Sequence, residues 1–201
     1  MRLIVVRHGE TEENARQIVQ GHMPGKLSRK GIRQAKAIGL RLRKAKIDVI
    51  FSSDLRRTRD TASEIARFHR IPVHYARELR ERHSGIFQGK HSSVFTDAVM
   101  SSGMLPAAYR PEGGESVIDL RGRVRKFVRI LYKDYGDKTV LIVTHGGVAR
   151  ALLYVYSRAH HRKVEGVKTV NTGILVIDVK GRSGKIIKDA MFLRKGHGIT
   201  S

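Results

Sequence analysis

No cysteine occurs among the 201 residues of the sequence. Its absence excludes disulfide bonds, thiolate catalysis and cysteine-ligated metal sites, while the redox compartment stays open. Long apolar runs are also missing: residues 3–6 are apolar, whereas a membrane helix needs about 18 such residues. This short run leads directly into Arg7 and His8, unlike the core of a targeting segment. We therefore expect a cytoplasmic protein with no membrane partner.

Acidic side chains are scarce, with 18 Asp and Glu against 40 Lys and Arg, and the formal net charge is +22. Such a field attracts anions, so nucleic acids and phosphorylated metabolites are both candidate partners. The basic residues are dispersed along the chain, which is typical of a cationic surface. Aromatic residues make up only 6%, too few for an obvious base-stacking platform, and no nucleic-acid-binding motif is present. A small phosphorylated metabolite is the expected partner, and nucleic acid is not.

Short runs rich in β-branched residues alternate with helical spacing along the chain. The runs predict strands at 2–7, 47–51, 71–75 and 139–143, and a terminal hairpin of 170–179 with 185–192. Strands that alternate with helices favour an α/β fold, a three-layer α/β/α sandwich with a mostly parallel central sheet.

Four longer helices are predicted from apolar residues that recur every three or four positions. The first starts at Ser28 with Ile32, Ala35, Ile38 and Leu42; the second carries Thr58, Thr61, Ala62, Ile65 and Phe68; the third opens at Glu115-Ser116 with Val117, Leu120, Val124, Phe127, Val128 and Leu131; the fourth runs to about 157. Residues 84–114 are irregular, with a short helix near 92–101. We expect one domain over 1–201 with a capping excursion at about 84–114.

Ligands of parallel α/β sheets bind at the carboxyl ends of the strands. Three segments follow predicted strands: Arg7-His8-Gly9, Ser52 to Arg57, and His145-Gly146-Gly147. These segments are therefore expected to meet at one edge of the sheet and to form the site.

His8 is the candidate nucleophile. It follows a buried strand, and a neutral imidazole attacks phosphorus well, which splits phosphoryl transfer into two easier steps. Arg7 offers a planar fork of donors suited to phosphate oxygens, and Gly9 lets the backbone approach a bound group closely. In the second segment, Arg57 in the first turn of a helix adds a bidentate contact to a phosphate, with Arg56 as a solvated neighbour.

The third segment repeats the first: a strand end, the histidine His145, glycines and a helix start. Ten histidines could in principle supply metal ligands, but carboxylates at metal-ligand spacing and an HExxH pattern are missing. We therefore expect no metal. Glu81 is the candidate proton donor for the leaving alcohol, provided that its pKa is raised.

Five motifs together resemble the histidine phosphatase superfamily, and within it the cofactor-dependent phosphoglycerate mutase branch. They are Arg7-His8-Gly9-Glu10-Thr11, Ser53-Asp54-Leu55-x-Arg57, Leu79-Arg80-Glu81-Arg82, Pro111-x-Gly113-Gly114-Glu115-Ser116 and Thr144-His145-Gly146-Gly147. The motifs occur in the family's order and approximate spacing, and the resemblance extends from residue 2 to about 178.

The resemblance implies a phosphoryl-transfer enzyme of the histidine acid phosphatase or phosphoglycerate mutase-like kind, without a metal. It implies that His8 is the phosphorylated nucleophile and that Glu81 is first the proton donor and later the base. It also implies a phosphate and substrate pocket with supporting residues, namely Arg7, Arg57, His145, Gly146 and Asn14 in the pocket, Thr11, Gln20 and Gly21 at its entrance, and Glu10 behind the nucleophile loop.

Two departures from the family pattern bear on the reaction. Glu13 stands where many relatives carry an aromatic residue. The segment between Glu81 and the glycine pair at 113–114 lacks the longer insertion of the glycolytic mutases, whose basic pair grips a second phosphate. Here Lys90, His91 and Arg110 are the basic candidates. A shorter cap leaves a phosphohistidine more open to water, which favours a phosphatase (a hydrolase) over a mutase (an isomerase).

The leading hypothesis is therefore a phosphomonoesterase acting on small phosphorylated metabolites. The first alternative is a phosphoglycerate mutase that uses 2,3-bisphosphoglycerate as the cofactor that primes His8. A nucleic-acid- or protein-binding module on an inactive scaffold is supported only by the net charge. A phosphorylated protein remains open as substrate, and the terminal hairpin offers an edge for a homodimer.

Overall fold

The computed structural model describes residues 1–156, 168–181, 183–189 and 192–193. The α-helices are α1 Glu12–Ala15, α2 Arg29–Leu42, α3 Arg56–Ala66, α4 Ser92–Ser101, α5 Val117–Asp134 and α6 Gly146–Tyr156. The strands are β1 Arg2–Arg7, β2 Val49–Ser52, β3 Val73–Tyr75, β4 Thr139–Thr144, β5 Lys168–Thr169, β6 Ile174–Lys180, β7 Ser183–Asp189 and β8 Phe192–Leu193. Short 3-10 helices lie at Arg77–Leu79 and Gly85–Phe87.

Among the described residues, six strands form the central sheet in the order β3-β2-β4-β1-β6-β7. The first four are parallel to one another, whereas β6 runs antiparallel to β1 and β7 antiparallel to β6. The predicted α/β fold with a mostly parallel sheet is confirmed. Because β1, β2 and β4 are neighbours, their carboxyl ends lie side by side at one edge of the sheet.

Strand β1 shows why helices cover both faces of the sheet. Successive side chains of a strand point to opposite faces. Leu3 and Val5 belong to the apolar core beneath α5 and α6, while Ile4 and Val6 belong to the core beneath α2 and α3. A strand that is apolar on both faces is stable only between two helical layers. This is the arrangement of a three-layer sandwich.

Helix starts follow the capping chemistry of the sequence. Ser28 caps α2 by accepting a hydrogen bond from the N–H of Gly31 at 3.0 Å. Ser116 caps α5, and the Asp119 carboxylate accepts in return from the Ser116 N–H, which completes a capping box. Losing such a cap costs about 1 kcal/mol. These two predicted helix starts are confirmed.

Three predicted details are wrong. Ile32 is 45% exposed, because the buried stripe of α2 instead includes Gly31, where a Cβ would overlap the carbonyl oxygen of Glu10. Strand β2 begins at Val49, because the N–H of Thr139 donates to the Asp48 carboxylate at 2.7 Å in place of a backbone carbonyl. Residues 170–173 form a turn before β6 and do not belong to the predicted strand. Position 157, where the fourth helix was expected to end, and Arg182 of the predicted hairpin lie outside the described residues.

Helix α1 was not predicted, because a single turn is too short to show helical periodicity. Its stability comes from a capping box between Thr11 and Asn14. In the part of the chain that the structure describes, no helix is long and apolar enough to cross a membrane.

Candidate active site

A cleft of about 360 Å³ opens at the carboxyl ends of β1 and β4 and the start of α3. Its polar floor includes Arg7, His8, Arg57 and Glu81. Apolar side chains from the chain's middle third form part of the wall, among them Phe95, Pro106, Ala107 and Val117. Three of these four residues lie in the segment 84–114, for which the domain prediction expects a capping role.

His8 is held in one tautomer by its own loop. The ring is 3% exposed, and its Nδ1 lies 2.7 Å from the carbonyl oxygen of Gly9. A carbonyl only accepts, so Nδ1 carries the proton and Nε2 keeps its lone pair. Burial, followed by the charges of Arg57 and Arg7, lowers the pKa of His8 well below 6.5. The imidazole is therefore neutral at pH 7, as a nucleophile must be.

The loop that carries His8 is fixed from several sides. The His8 N–H donates to the Thr144 carbonyl at 2.9 Å, and the Gly9 N–H donates to the Thr61 hydroxyl at 3.1 Å. Asn171 donates to the His8 carbonyl at 3.0 Å. A candidate nucleophile that is fixed by these hydrogen bonds would keep its orientation when a substrate binds.

Arg57 is buried to 1% exposure at the start of α3. Its guanidinium donates to three backbone carbonyls, those of Gly21, Met23 and Pro24, at 2.9, 2.5 and 3.3 Å. Burial lowers its pKa to about 10, so the cation persists at neutral pH. Arg56 instead points outward and pairs with Asp60 at 3.6 Å, which agrees with the prediction that Arg56 is a solvated neighbour.

His145 lies behind the cleft, not in its lining. It is fully buried, and its ring centroid is 5.2 Å from that of His8. Its Nδ1 accepts from Arg57 Nε at 3.2 Å, so the other nitrogen carries the proton and donates to the Ser53 hydroxyl at 2.9 Å. Burial and then the charge of Arg57 lower the pKa of His145 well below 6.5. Among the residues that line the cleft, Arg57 is therefore the hydrogen-bond partner of His145.

Arg7 lines the cleft, and its guanidinium is only partly hydrogen-bonded. Its Nη1 donates to the Thr169 carbonyl at 2.5 Å, but its buried Nε has no hydrogen-bond partner among the described residues. Burial lowers the pKa of Arg7 to about 10, partly offset by the carboxylate of Glu81. An unmet buried donor is costly, and an anionic oxygen would relieve that cost.

Glu81 contradicts one expectation. Burial alone would raise its pKa, but the charge of Arg150, the N–H groups of Gly147 and Arg82, and the charge of Arg57 together lower it. The two N–H groups donate to its two oxygens at 2.9 and 2.8 Å. The predicted raised pKa is therefore wrong for the protein without substrate, because hydrogen bonds and cations stabilise the carboxylate more than burial destabilises it.

Arg123 on α5 clamps the segment that carries Glu81. Its guanidinium donates to the carbonyls of Glu78, Arg80 and Glu81 at 2.6, 3.1 and 3.4 Å. The same group forms a fork with the Glu115 carboxylate, with N···O distances of 2.9 and 2.8 Å. A single side chain thus fixes the backbone on both sides of the candidate acid, and sequence reasoning did not identify it.

The remaining predicted site residues divide into those inside and those outside the cleft. Asn14, Gln20 and Gly21 line it. Asn14 Oδ1 already accepts from Thr11 and Asn171, so its amide nitrogen is the group left to bind an acceptor.

Three other predicted residues lie outside the cleft lining. Gly146 does not line the cleft, although its neighbour Gly147 does. Thr11 is buried as the N-cap of α1. Glu10 accepts from Ser28 at 3.0 Å and ties the nucleophile loop to α2. Glu13 also lies outside the lining, and its charge raises the pKa of Arg57.

The basic residues of the segment 84–114 that were expected to hold a second phosphate lie outside the cleft. Lys90 stacks over Phe87, and Arg110 pairs with Asp119 at 2.7 Å on the surface. His91 caps α4. None of the three lines the cleft, because each serves the exterior of the segment 84–114.

Arg82, Arg121 and Arg150 line the cleft instead. A signal for Arg150 was available in the sequence: it lies four residues after Gly146, one turn along a helix that starts at the site.

Comparison with known proteins agrees with this geometry. The family model described as "Histidine phosphatase superfamily (branch 1)" matches residues 3–189. An Arabidopsis thaliana protein named phosphoglycerate mutase-like protein 4 is 38% identical over 87% of this chain and 77% of its own. A metal-independent phosphoserine phosphatase of the same plant is 35% identical over 89% of this chain and 76% of its own.

Among solved structures, a mycobacterial glucosyl-3-phosphoglycerate phosphatase in complex with VO3 superposes with a TM-score of 0.84 at 29% identity. The match covers 94% of this chain and 98% of that one. The resemblance stated from the five motifs is confirmed over nearly the whole chain, and so is the prediction of a phosphoryl-transfer enzyme.

Proposed function

Because this chain belongs to the histidine phosphatase superfamily, we propose that it is a phosphomonoesterase that hydrolyses small phosphorylated metabolites through a phosphohistidine on His8. One observation carries the proposal. The neutral His8 ring, with a free lone pair on Nε2, lines a cleft that it shares with the guanidinium groups of Arg7 and Arg57 and the carboxylate of Glu81. The cleft thus brings together a nucleophile, two cations that can stabilise the phosphoryl group, and a carboxylate that can carry a proton.

In the first step, the phosphate dianion is bound by Arg7 and Arg57, whose charges offset its own. His8 Nε2 forms a bond to phosphorus as the ester P–O bond breaks, and Glu81 gives a proton to the leaving alcohol oxygen. The negative charge of bound substrate opposes ionisation of Glu81, so its pKa rises on binding and the carboxylate takes up the proton it later donates. The burial of Glu81 strengthens this effect.

In the second step, Glu81 acts as base. Its carboxylate takes a proton from water, the water oxygen forms a bond to phosphorus, and the N–P bond to His8 breaks. Inorganic phosphate leaves and His8 returns to its neutral tautomer, with Nδ1 still bonded to Gly9. His145 acts indirectly in this mechanism. Its Nδ1 accepts a hydrogen bond from Arg57 Nε and so fixes the plane of the Arg57 guanidinium.

The proposal needs no metal, because Arg7 and Arg57 carry the charge that develops in the transition state. A relative named as metal-independent supports this. In the described ranges, no three histidine or carboxylate side chains are grouped as metal ligands. The protein is proposed to act in the cytoplasm as expected from its sequence, without nucleic acid as partner.

A bisphosphoglycerate-dependent mutase is the second candidate. It is favoured by the arginines Arg82, Arg121 and Arg150 in the cleft, which could retain an acceptor that carries a second anion. It is opposed by the outward placement of Lys90, His91 and Arg110, since the segment 84–114 then adds no cation that would hold an acceptor against water.

The test follows the fate of phosphorus. The protein is incubated with 3-phosphoglycerate, a trace of 2,3-bisphosphoglycerate and EDTA, and the products are followed by ³¹P NMR. Release of inorganic phosphate supports the phosphatase, and accumulation of 2-phosphoglycerate with little phosphate supports the mutase. His8→Ala, checked for folding by circular dichroism, is expected to lose turnover in both cases. Unchanged turnover in this variant would contradict the phosphohistidine mechanism.

A further inference from the structure

The turn between β5 and β6, residues 170–173, lies against the loop that carries His8. The Thr172 N–H donates to the carbonyl oxygens of Arg7 at 3.0 Å and of His8 at 3.4 Å. The Gly173 carbonyl accepts in return from the Arg7 N–H at 3.3 Å. Asn171 of this turn follows His8 by 163 residues in the chain. The turn therefore braces the site from a distant segment that lies outside the five motifs.

Thr172 has an unfavourable backbone conformation. Its φ of +54° lies in the left-handed region, which a β-branched residue rarely adopts. Such a conformation costs free energy and persists only where the surrounding structure fixes it. Here the hydrogen bonds to Arg7 and His8 fix it. Strain of this kind is found mostly at functional sites, and the neighbouring Asn171 is the residue of the turn whose side chain contacts the site.

We propose that Asn171 is a positioning residue for phosphoryl transfer: its side-chain amide fixes the peptide plane after His8 and, at the same time, the amide of Asn14. The inference rests on the proposed function, because the orientation of His8 matters only if His8 is the nucleophile. Both His8 and Asn14 line the cleft, whereas Asn171 lies behind them. Asn171 therefore touches no reacting atom and acts through its two neighbours.

One NH2 group serves two acceptors. The Nδ2 atom of Asn171 donates to the His8 carbonyl at 3.0 Å and to Asn14 Oδ1 at 3.4 Å. A side-chain amide nitrogen carries two hydrogen atoms, so both bonds can be made at once. A hydroxyl would supply one hydrogen atom and a carboxylate none. The pair of acceptors therefore matches an amide better than a hydroxyl or a carboxylate.

The bond to the His8 carbonyl acts on the orientation of the imidazole. This carbonyl belongs to the peptide unit that joins His8 to Gly9, and the Gly9 N–H of the same unit donates to Thr61 at 3.1 Å. Asn171 and Thr61 thus hold the two polar ends of one peptide plane. The following carbonyl, that of Gly9, lies 2.7 Å from His8 Nδ1. A rotation of the plane would therefore move the group that fixes the ring, and with it the direction of the Nε2 lone pair.

The bond to Asn14 acts on the phosphate side of the cleft. The Asn14 amide has two orientations, which differ by exchange of its oxygen and its nitrogen. Its Oδ1 accepts from the Thr11 N–H at 3.3 Å and from Asn171 at 3.4 Å, so both donors favour the same orientation. The opposite orientation would set the Asn14 oxygen against the anionic oxygens of a phosphoryl group. Asn171 therefore favours the orientation in which Asn14 Nδ2 can donate to phosphate.

The first experiment uses the wild-type protein. Asn14 and Asn171 are the only asparagines in the sequence, so labelling asparagine with ¹⁵N gives just two side-chain NH2 groups in the NMR spectrum. The Asn171 group is expected to exchange its hydrogens slowly with solvent, because both are hydrogen-bonded, whereas the Asn14 group faces the open cleft. If both groups exchange at the rate of a free side-chain amide, the proposal is overturned, and this result does not depend on the folding of any variant.

The second experiment measures catalysis in Asn171→Ala, which lacks both donors. The substrate is 2,4-dinitrophenyl phosphate, whose leaving group needs no proton from Glu81, so the rate reports the attack by His8. We expect kcat/KM to fall by about 10- to 100-fold, the scale of a misplaced reacting group. Vanadate, a five-coordinate mimic of the transferred group when bound to His8, is expected to lose affinity by a similar factor. Inorganic phosphate forms no bond to His8, and its affinity is expected to change by at most about 3-fold.

Two further variants frame the result. Asn171→Gln keeps the NH2 group on a longer side chain and is expected to retain more activity than Asn171→Ala. Gln17→Ala removes an exposed amide and is the control, with wild-type kinetics expected. Equal losses of vanadate and phosphate affinity in Asn171→Ala would indicate general damage to the site and overturn the positioning role, as would an unchanged kcat/KM. Failure of the proposed function would look different, since His8→Ala would then keep turnover and bind vanadate as wild type does.

Discussion

The clamp between Arg123 and the Glu81 segment predicts a substrate-dependent loss of activity. In Arg123→Ala, the backbone of residues 78–81 loses three hydrogen bonds, and Glu115 loses its fork. The Arg123 and Glu115 side chains are only 20% and 24% exposed, so the fork is little screened by solvent. We expect about 2 kcal/mol of lost stability, the scale of a charge-assisted hydrogen bond, measured by urea unfolding.

The loss of activity is larger and selective. General acid catalysis is worth about 10²- to 10⁴-fold, and a displaced Glu81 forfeits part of it. For an alkyl phosphate, whose leaving oxygen needs a proton, kcat/KM is expected to fall by about 10- to 100-fold. For 2,4-dinitrophenyl phosphate, whose leaving group departs as an anion, the fall is expected to stay within about 3-fold, since general acid catalysis adds little there.

The assay uses kcat/KM because, in the proposed mechanism, this ratio reports only the steps up to alcohol release. It therefore excludes the proposed second step, in which Glu81 would act as base. Arg123→Lys keeps the charge but not the fork, and an intermediate effect is expected. Arg125→Ala, two residues along the same helix and exposed, is the control. An equal fall for both substrates in Arg123→Ala would refute the positioning role and indicate general damage.

Three further predictions address the site and its support. Glu81→Gln is expected to lower kcat/KM for alkyl phosphates by about 10²- to 10⁴-fold and to spare 2,4-dinitrophenyl phosphate; similar losses for both would exclude its role as acid. His8 and His145 have pKa values well below 6.5 when folded, so the unfolded chain binds more protons below that pH. Stability is therefore expected to fall between pH 6.5 and 5, and a flat Tm over this range would contradict their buried neutral state. Gly31→Ala would press a Cβ against the Glu10 carbonyl and is expected to cost about 1–3 kcal/mol in urea unfolding, whereas Gly122→Ala, with open space around it, is the matched control.

Sequence reasoning succeeded where local patterns dictate geometry. Strand β1 is apolar on both faces, so its burial in the middle of the sheet and the position of His8 at its end follow from the pattern. Arg57 was predicted as the phosphate-binding arginine in the first turn of a helix, with Arg56 as its solvated neighbour, and the structure buries Arg57 and exposes Arg56. These features depend on residues close together in the chain.

Sequence reasoning failed where a property of the site depends on side chains from distant segments of the chain. The pKa of Glu81 is set by the N–H of Gly147 and by Arg150, which no pattern around residue 81 reveals. The basic residues of the cleft were sought in the segment 84–114, but Arg150 comes from α6. Arg123 was missed because a clamp on backbone carbonyls leaves no signature in side-chain spacing.

The place of β1 in the sheet also has a consequence for synthesis. β1 is the first strand to be made, yet its two neighbours, β4 and β6, begin at residues 139 and 174. At about 5–20 residues per second, the strand waits on the order of 10 to 30 seconds for its last partner. Its apolar residues Leu3 to Val6 lack both neighbours until β4 is made and lack β6 until the interval ends, and exposed unpaired strands of this kind are prone to aggregation. A ribosome-bound chain therefore carries His8 long before the cleft around it exists, and the proposed hydrolysis can begin only once the sheet has closed around β1.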